Sequence, residues 1–177
     1  MKQANSMQVD FQLPGARIGI IAARFNPAIV EGLLAGALDV LQRCGVQRDD
    51  IHIFHVPGAF EMPLAAKRMA LTRRYDALVA LGAVIRGETA HFEYVAGACT
   101  NGLAEVSLQN NIAIGFGVLT VNNEQQALER AAPNHENKGR EAALAALQMV
   151  KLLWDVESPA ATESYMDASK SSPRSVK

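Results

Sequence analysis

Cysteine is nearly absent: Cys44 and Cys99 are the only two among 177 residues, too few to suggest a disulfide framework or a cysteine-ligated zinc site. Long apolar runs are missing as well, none approaching the ~20 residues that a bilayer-spanning helix needs. Neither sign of charge is in excess. Seventeen Lys and Arg stand against 18 Asp and Glu, and the net charge of −1 gives no electrostatic footprint for nucleic acid or an anionic membrane. The opening MKQANSMQVDFQLPG has no apolar core of the signal-peptide kind, so the expected compartment is cytoplasmic. There is no GxxxxGKS/T loop, and Gly115-Phe116-Gly117 lacks the third glycine of a dinucleotide fingerprint. A nicotinamide or ATP enzyme is disfavoured.

What is present is an ordinary globular composition, 49% hydrophobic and 20% charged, with enough chain for one domain and a sizeable core. The domain is expected over 17–156, between an N-terminal arm (1–16) that ends in Pro14-Gly15 and a Ser-rich tail (157–177) with almost no core formers. Strand-like runs fall at 17–23, 50–56, 77–84 and 112–121, the second alternating and therefore placed at an edge. Helical spacing covers Ile29 to Arg43 with a stop at Cys44-Gly45, then a helix opened by Pro63 and running to about Arg73. Further helices are expected from the GETAH turn to about Asn110, over Glu124–Ala131 after Asn122-Asn123, and from Lys138 to about Val156. The last should carry Ala143, Leu147, Val150 and Trp154 on one stripe. Ala96, Gly97, Ala98, Gly102 and Ala104 are small for a free helix surface and read as a packing seam. Alternating strands and helices imply a parallel sheet with helices on both faces.

In such sheets ligands bind outside the carboxyl ends of the strands. Arg24-Phe25-Asn26, Ala59-Phe60-Glu61, Val84-Ile85-Arg86-Gly87 and the region after Phe116 are therefore expected to converge on one rim. The stretch LGAVIRGETAHFEYVAGACT is central, because a strand feeding a helix N-terminus presents free N–H groups and the positive dipole end to an anion. Gly87 allows close approach, Thr89 can cap, and His91 brings a proton carrier. A lone histidine early in a helix is ordinarily a cap or surface residue, and Phe25 and Phe60 by spacing alone are ordinary packing rings. The shared rim argues otherwise for all three, while His52, His55 and His135 stay structural. Cys99 lies eight residues beyond His91, ~12 Å along a helix, too far for a thiolate–imidazolium pair.

The blocks ARFNPAIVEGLLAGA, VPGAFEMPLAAKRMA, ALGAVIRGETAHFEYVAGACTNGLAEV, GFGVLTVNNEQQALERA and NKGREAALAAL together resemble the 6,7-dimethyl-8-ribityllumazine synthase family over about residues 16–155. The resemblance implies a flavodoxin-like three-layer α/β/α sandwich with a four-stranded parallel sheet, to which the N-terminal arm could add a strand. It implies condensation of 5-amino-6-(D-ribitylamino)uracil with 3,4-dihydroxy-2-butanone 4-phosphate, a penultimate step of riboflavin synthesis run without metal or cofactor. Its partners would be those two small molecules and further copies of itself, as pentamers or as shells of twelve pentamers. The short Arg130-to-Lys138 connection is of the kind expected in shell formers.

Carried onto this sequence, the resemblance makes Phe25 the ring that stacks on the pyrimidine. Asn26, Ala59, Phe60 and Glu61 would bind the ribityl chain and orient the substrate, and Ala83, Val84 and Ile85 would offer backbone to the uracil edge. Gly87, Glu88 and Thr89 would form the phosphate turn, joined by Arg130, with Glu88 contributing its N–H and turning its carboxylate away. His91 would transfer protons. Phe116 and Lys138 would come from a neighbouring subunit, with Glu141 close to Lys138. By default Arg130 and Lys138 are solvated helix charges; the resemblance alone promotes them. Two other readings stay open: a non-catalytic flavin- or pterin-binding shell protein, and a phosphosugar-binding regulatory domain.

Overall fold

The structure, a computed structural model, describes residues 11–158. Four parallel strands form one sheet in the order β2-β1-β3-β4, with β1 Ile18–Ala23, β2 Ile51–Val56, β3 Ala77–Ile85 and β4 Ala113–Val121. Helices α1 (Pro27–Arg43), α4 (Glu124–Ala131) and α5 (Lys138–Glu157) cover one face, and α2 (Met62–Leu71) and α3 (His91–Asn110) the other. This is the three-layer α/β/α arrangement. The reason lies in the strands: β1 and β3 are apolar on both faces, so each face needs its own layer of helices. Ile18, Ile20, Val79 and Leu81 meet Leu33, Leu41 and Leu147 on one side. Ile21, Leu78 and Ala80 meet Met62, Met69, Leu103 and Val106 on the other. Each of the large side chains here contributes about 1.5–3 kcal/mol on burial.

Helix ends follow local chemistry. Asn123 and Asn137 accept from the N–H groups of Gln126 and Arg140, side-chain caps typically worth ~1 kcal/mol each. Gly45, at φ +83°, closes α1. Helix α1 starts at Pro27, two residues before its first apolar position, because Asn26 takes the left-handed conformation and proline is pre-set for the first turn. Helix α2 stops at Leu71 rather than Arg73, since Thr72 Oγ1 bonds back to Met69 O and Arg73 turns left-handed at φ 54°. Helix α3 is capped at Ala90 without a side-chain bond, so Thr89 is not its N-cap.

Three expectations change with packing. The edge strand β2 does not alternate: His52 to His55 are all exposed, because neither helical layer extends over it. Trp154 belongs to the stripe only in part, being 38% exposed near the end of α5. The seam of small residues on α3 divides in two. Gly102 admits Pro63 of α2, whereas a Cβ on Gly97 would meet nothing within 4 Å. At the other ends, Leu13 and Ala16 of the arm are buried against the core, and residues 11–17 add no strand. The rest of the arm (1–10) and the expected disordered tail (159–177) lie outside the described residues; α5 itself runs one residue past the expected boundary, to Glu157. No helix among the described residues is long and apolar enough to cross a membrane.

Helices α1 and α5 approach closely at Gly139. A Cβ on Gly139 would strike the backbone carbonyl of Leu33, a group that cannot move without breaking α1. Gly139→Ala is expected to destabilise the chain by about 1–3 kcal/mol through overpacking, measured as a lower urea midpoint at unchanged m-value.

Candidate active site

The strand order reverses between β1 and β3. The chain leaving β1 enters α1 on one face, and the chain leaving β3 enters α3 on the other, so a crevice opens between the two carboxyl ends. Strand β3 also outruns its neighbour. Its pairing with β1 ends at Leu81, while pairing with β4 continues to Ile85. The β1-facing backbone of Ala83, Val84 and Ile85 therefore has no ladder partner. Asn26 fills part of the gap, its Nδ2 donating to Ala83 O at 3.1 Å. The resemblance implies that Asn26 binds the ribityl chain and orients the substrate; within the chain its amide nitrogen ties the β1 loop to β3, leaving Oδ1 free of that bond.

The loop after β2 is bound to the loop after β1. Arg24 N–H donates to Val56 O at 2.9 Å and Phe25 N–H to Pro57 O at 3.2 Å. The Phe25 ring lies on Gly58, where an added Cβ would come within 2.7 Å of the ring. Glu61 Oε2 accepts the Gly58 N–H at 2.9 Å, which fixes the 3-10 turn Ala59–Glu61. Phe25 and Phe60 nevertheless stay 66% and 61% exposed, two large apolar rings at one rim that the described residues leave largely uncovered.

Across the crevice, Gly87, Glu88 and Thr89 are exposed, and His91 is the first residue of α3. Thr89 Oγ1 accepts a long bond, 3.4 Å, from the His91 N–H. A Cβ on Gly87 would meet nothing within 4 Å, so the fold itself does not require glycine there. The 20-residue α3 directs its positive end at this turn.

Arg86, expected on the rim but with no role of its own, holds the turn in place. Its N–H donates to Val121 O at 2.9 Å and its Nε to Asn122 Oδ1 at 3.2 Å. The guanidinium lies over the Phe92 ring, 4.2 Å from the centroid, and pairs with Glu93 Oε1. That hydrogen bond, followed by one to the Glu93 backbone, holds the Glu93 carboxyl below the usual carboxylate range. The positive charge of Arg86 thus offsets a carboxylate in the first turn of α3, which would otherwise oppose an anion. An arginine at a strand end with a glutamate seven residues on was the available signal.

A second group stands elsewhere. A cavity of about 490 Å³ along the open edge of β4 is lined by Phe116, Arg130, Lys138 and Glu141 together with strand backbone. Arg130 donates from Nη1 to Gln126 O at 2.9 Å, and Lys138 Nζ lies 2.8 Å from both oxygens of Glu141. None of the rim residues from Phe25 to His91 lines it. Within the single chain the two groups stand apart. Phe116 pairs with Ala80 in mid-strand, five residues before the end of β4, about 16 Å from the rim at ~3.3 Å per residue. Arg130, expected to join the Gly87–Thr89 turn, lines the β4 cavity of its own chain with Lys138.

No group of three or more His, Cys, Asp or Glu side chains among the described residues is placed to hold a metal ion. Cys99 is buried, and burial pushes its thiol up to about 11, so it is no nucleophile at neutral pH.

Comparison with known families gives one match: the sequence model of 6,7-dimethyl-8-ribityllumazine synthase fits residues 15–154, from the turn before β1 into the last turns of α5.

The Arg86–Glu93 pair sets an acid-side dependence. Because the folded Glu93 carboxyl titrates below its ordinary value of 4.5, its contribution is present above that value and is lost as pH falls through the lower folded one. Glu93→Gln should flatten the fall of Tm between neutral pH and pH values below 4.5, and added salt should shrink the difference. An identical acid limb in both proteins would exclude the pair as its source.

Proposed function

The chain belongs to the 6,7-dimethyl-8-ribityllumazine synthase family, transferases of riboflavin biosynthesis, and from that premise we propose that it condenses 5-amino-6-(D-ribitylamino)uracil with 3,4-dihydroxy-2-butanone 4-phosphate. The observation that carries the reading is the length of β3 beyond β1. It leaves a strip of peptide N–H and C=O groups facing a crevice flanked by exposed phenylalanines, a complement to a planar heterocycle whose edge carries both donors and acceptors. Phe25 stacks on the pyrimidine, Val84 and Ile85 pair with its edge, and Phe60 with Glu61 borders the ribityl chain. Asn26 keeps the β1 loop in register with β3 and turns Oδ1 toward the ligand.

The four-carbon phosphate sits at Gly87–Thr89 and the start of α3. Gly87 is required by the ligand, which comes as close as a Cβ would. The first step forms a carbon–nitrogen bond as the pyrimidine amine attacks the ketone, and His91 passes the amine proton to the new oxygen. Loss of that oxygen as water gives an imine, loss of phosphate follows proton removal from the neighbouring carbon, and the second amine closes the ring with loss of water. A positioned acid–base contributes about 10²–10⁴-fold, whereas fixing two reactants together can contribute about 7–11 kcal/mol. Positioning contributes more than proton transfer, since amines and ketones condense unaided.

The β4-edge group completes the pocket from a second copy. Phe116, Arg130 and Lys138 line a cavity that shares no residue with the Phe25-to-His91 rim of their own chain, and large apolar side chains stand exposed on α2, α3 and β4, among them Leu64, Tyr94, Leu108 and Phe116. Gly97, with no neighbour within the chain, is where another backbone comes close. A ring of five subunits, closed or further assembled, seats one copy's β4 edge over the next copy's rim. The Lys138–Glu141 pair is an exposed i,i+3 bridge worth about 0.2–0.5 kcal/mol, too little to matter to folding, and so is read as aiming Lys138.

Mixing the protein with both substrates should generate the fluorescent lumazine, and no fluorescence above the uncatalysed rate would refute the assignment. His91→Ala should lower kcat by about 10², the small end of acid–base effects; an unaltered kcat across pH would remove His91 from the chemistry. Arg130→Ala should mainly raise KM for the phosphorylated substrate. Light scattering should give a multiple of five subunits.

A further inference from the structure

Among the described residues Asn137 is the one polar side chain sealed in the core, at 1% exposure. Its Nδ2 faces three carbonyls on two segments: Gly32 O of α1 at 3.0 Å, Ala131 O at 2.9 Å and Ala132 O at 3.0 Å at the end of α4. Its Oδ1 accepts the Arg140 N–H at 3.0 Å, capping α5. The space for this amide is made by α1, where a Cβ on Gly36 would strike Oδ1 and one on Gly32 would lie 2.5 Å from Ala131 O. One carboxamide thus joins three helices.

We infer that Asn137 is a positioning residue for the substrate-phosphate end of the pocket: it fixes where Arg130 and Lys138 stand relative to each other. The inference rests on the proposed roles of those two residues. Arg130 directly precedes Ala131, whose carbonyl Asn137 holds, and Lys138 directly follows Asn137. Both cations are otherwise tied only along their own helices, Arg130 to Gln126 and Lys138 to Glu141. Their separation therefore depends on the junction of α4 with α5, which Asn137 pins to α1. A serine or aspartate would cap α5 equally well, but serine has one donor and ionised aspartate none, against the two N–H groups that Asn137 shares among three carbonyls. The helix cap alone does not account for an amide at this position.

The test is steady-state kinetics on the full-length assembled enzyme with each substrate varied. Asn137→Asp keeps an acceptor for the Arg140 N–H and loses the donors to Gly32, Ala131 and Ala132. It should raise KM for the phosphorylated substrate by about tenfold or more, as expected for a displaced binding group, with the pyrimidine KM within about twofold. A loss of stability with both KM values unchanged would overturn the inference. Should the buried carboxylate prevent assembly, Gly32→Ala displaces the same junction while leaving Asn137 intact and favouring α1. The same selective KM rise is expected, and wild-type KM values would again overturn it. Arg130→Ala separates the two levels. If it raises the phosphate-substrate KM and the junction variants do not, only the role of Asn137 falls; if it too has no effect, the reading of Arg130 falls with it.

Discussion

Two adjacent strands whose following helices leave for opposite faces set the conditions for everything at the rim. Because α1 departs from β1 to one side and α3 departs from β3 to the other, a crevice opens between their N-termini that Asn26 fills only in part. The extra length of β3 turns that space into a polar edge, since peptide groups beyond Leu81 have no partner on the β1 side. Unpaired backbone at a crevice is costly unless water or a ligand satisfies it. The protein keeps it serviceable by tying the loops to one another: Asn26 to Ala83, Phe25 to Pro57, Glu61 to Gly58, and Arg86 to both Asn122 and Glu93.

These ties differ in strength, and the difference matters for which parts move together. The Arg86–Glu93 pair is exposed and open to screening, so it biases the first turn of α3 rather than locking it. Asn137 is sealed from water, and an unsatisfied buried donor or acceptor there would carry its full desolvation cost, about 1–3 kcal/mol. The α4–α5 junction is thus the stiffer of the two cationic regions.

Exposed apolar surface marks this chain as incomplete alone. Phe25 and Phe60 at the rim, Leu64, Tyr94 and Leu108 on α2 and α3, and Phe116 on β4 are all large side chains left in water by the single copy. Phe116, in mid-strand on β4, lies about half a strand's length from the rim at ~3.3 Å per residue.

Much of this was readable from residue order. The apolar strands, the proline and glycine punctuation of α1 and α2, the asparagine cap before Glu124 and the strand–turn–helix at Gly87 to His91 are local properties, set by chemistry within a few residues. Local patterns could not say that β2 would be bare on both faces, that Gly102 would face Pro63 while Gly97 faced nothing, or that Thr89 would yield the cap to Ala90. Nor could they separate Phe116 and Arg130 from the rim, since distance along a strand and the direction of α4 are fixed only when the sheet is assembled. The sequence determined the elements, their order and the chemical groups available for a site. Tertiary structure decided which groups share a pocket, and made Asn137 and Arg86 matter, because hydrogen bonds that span 105 or 36 positions in the chain exist only after the layers have packed.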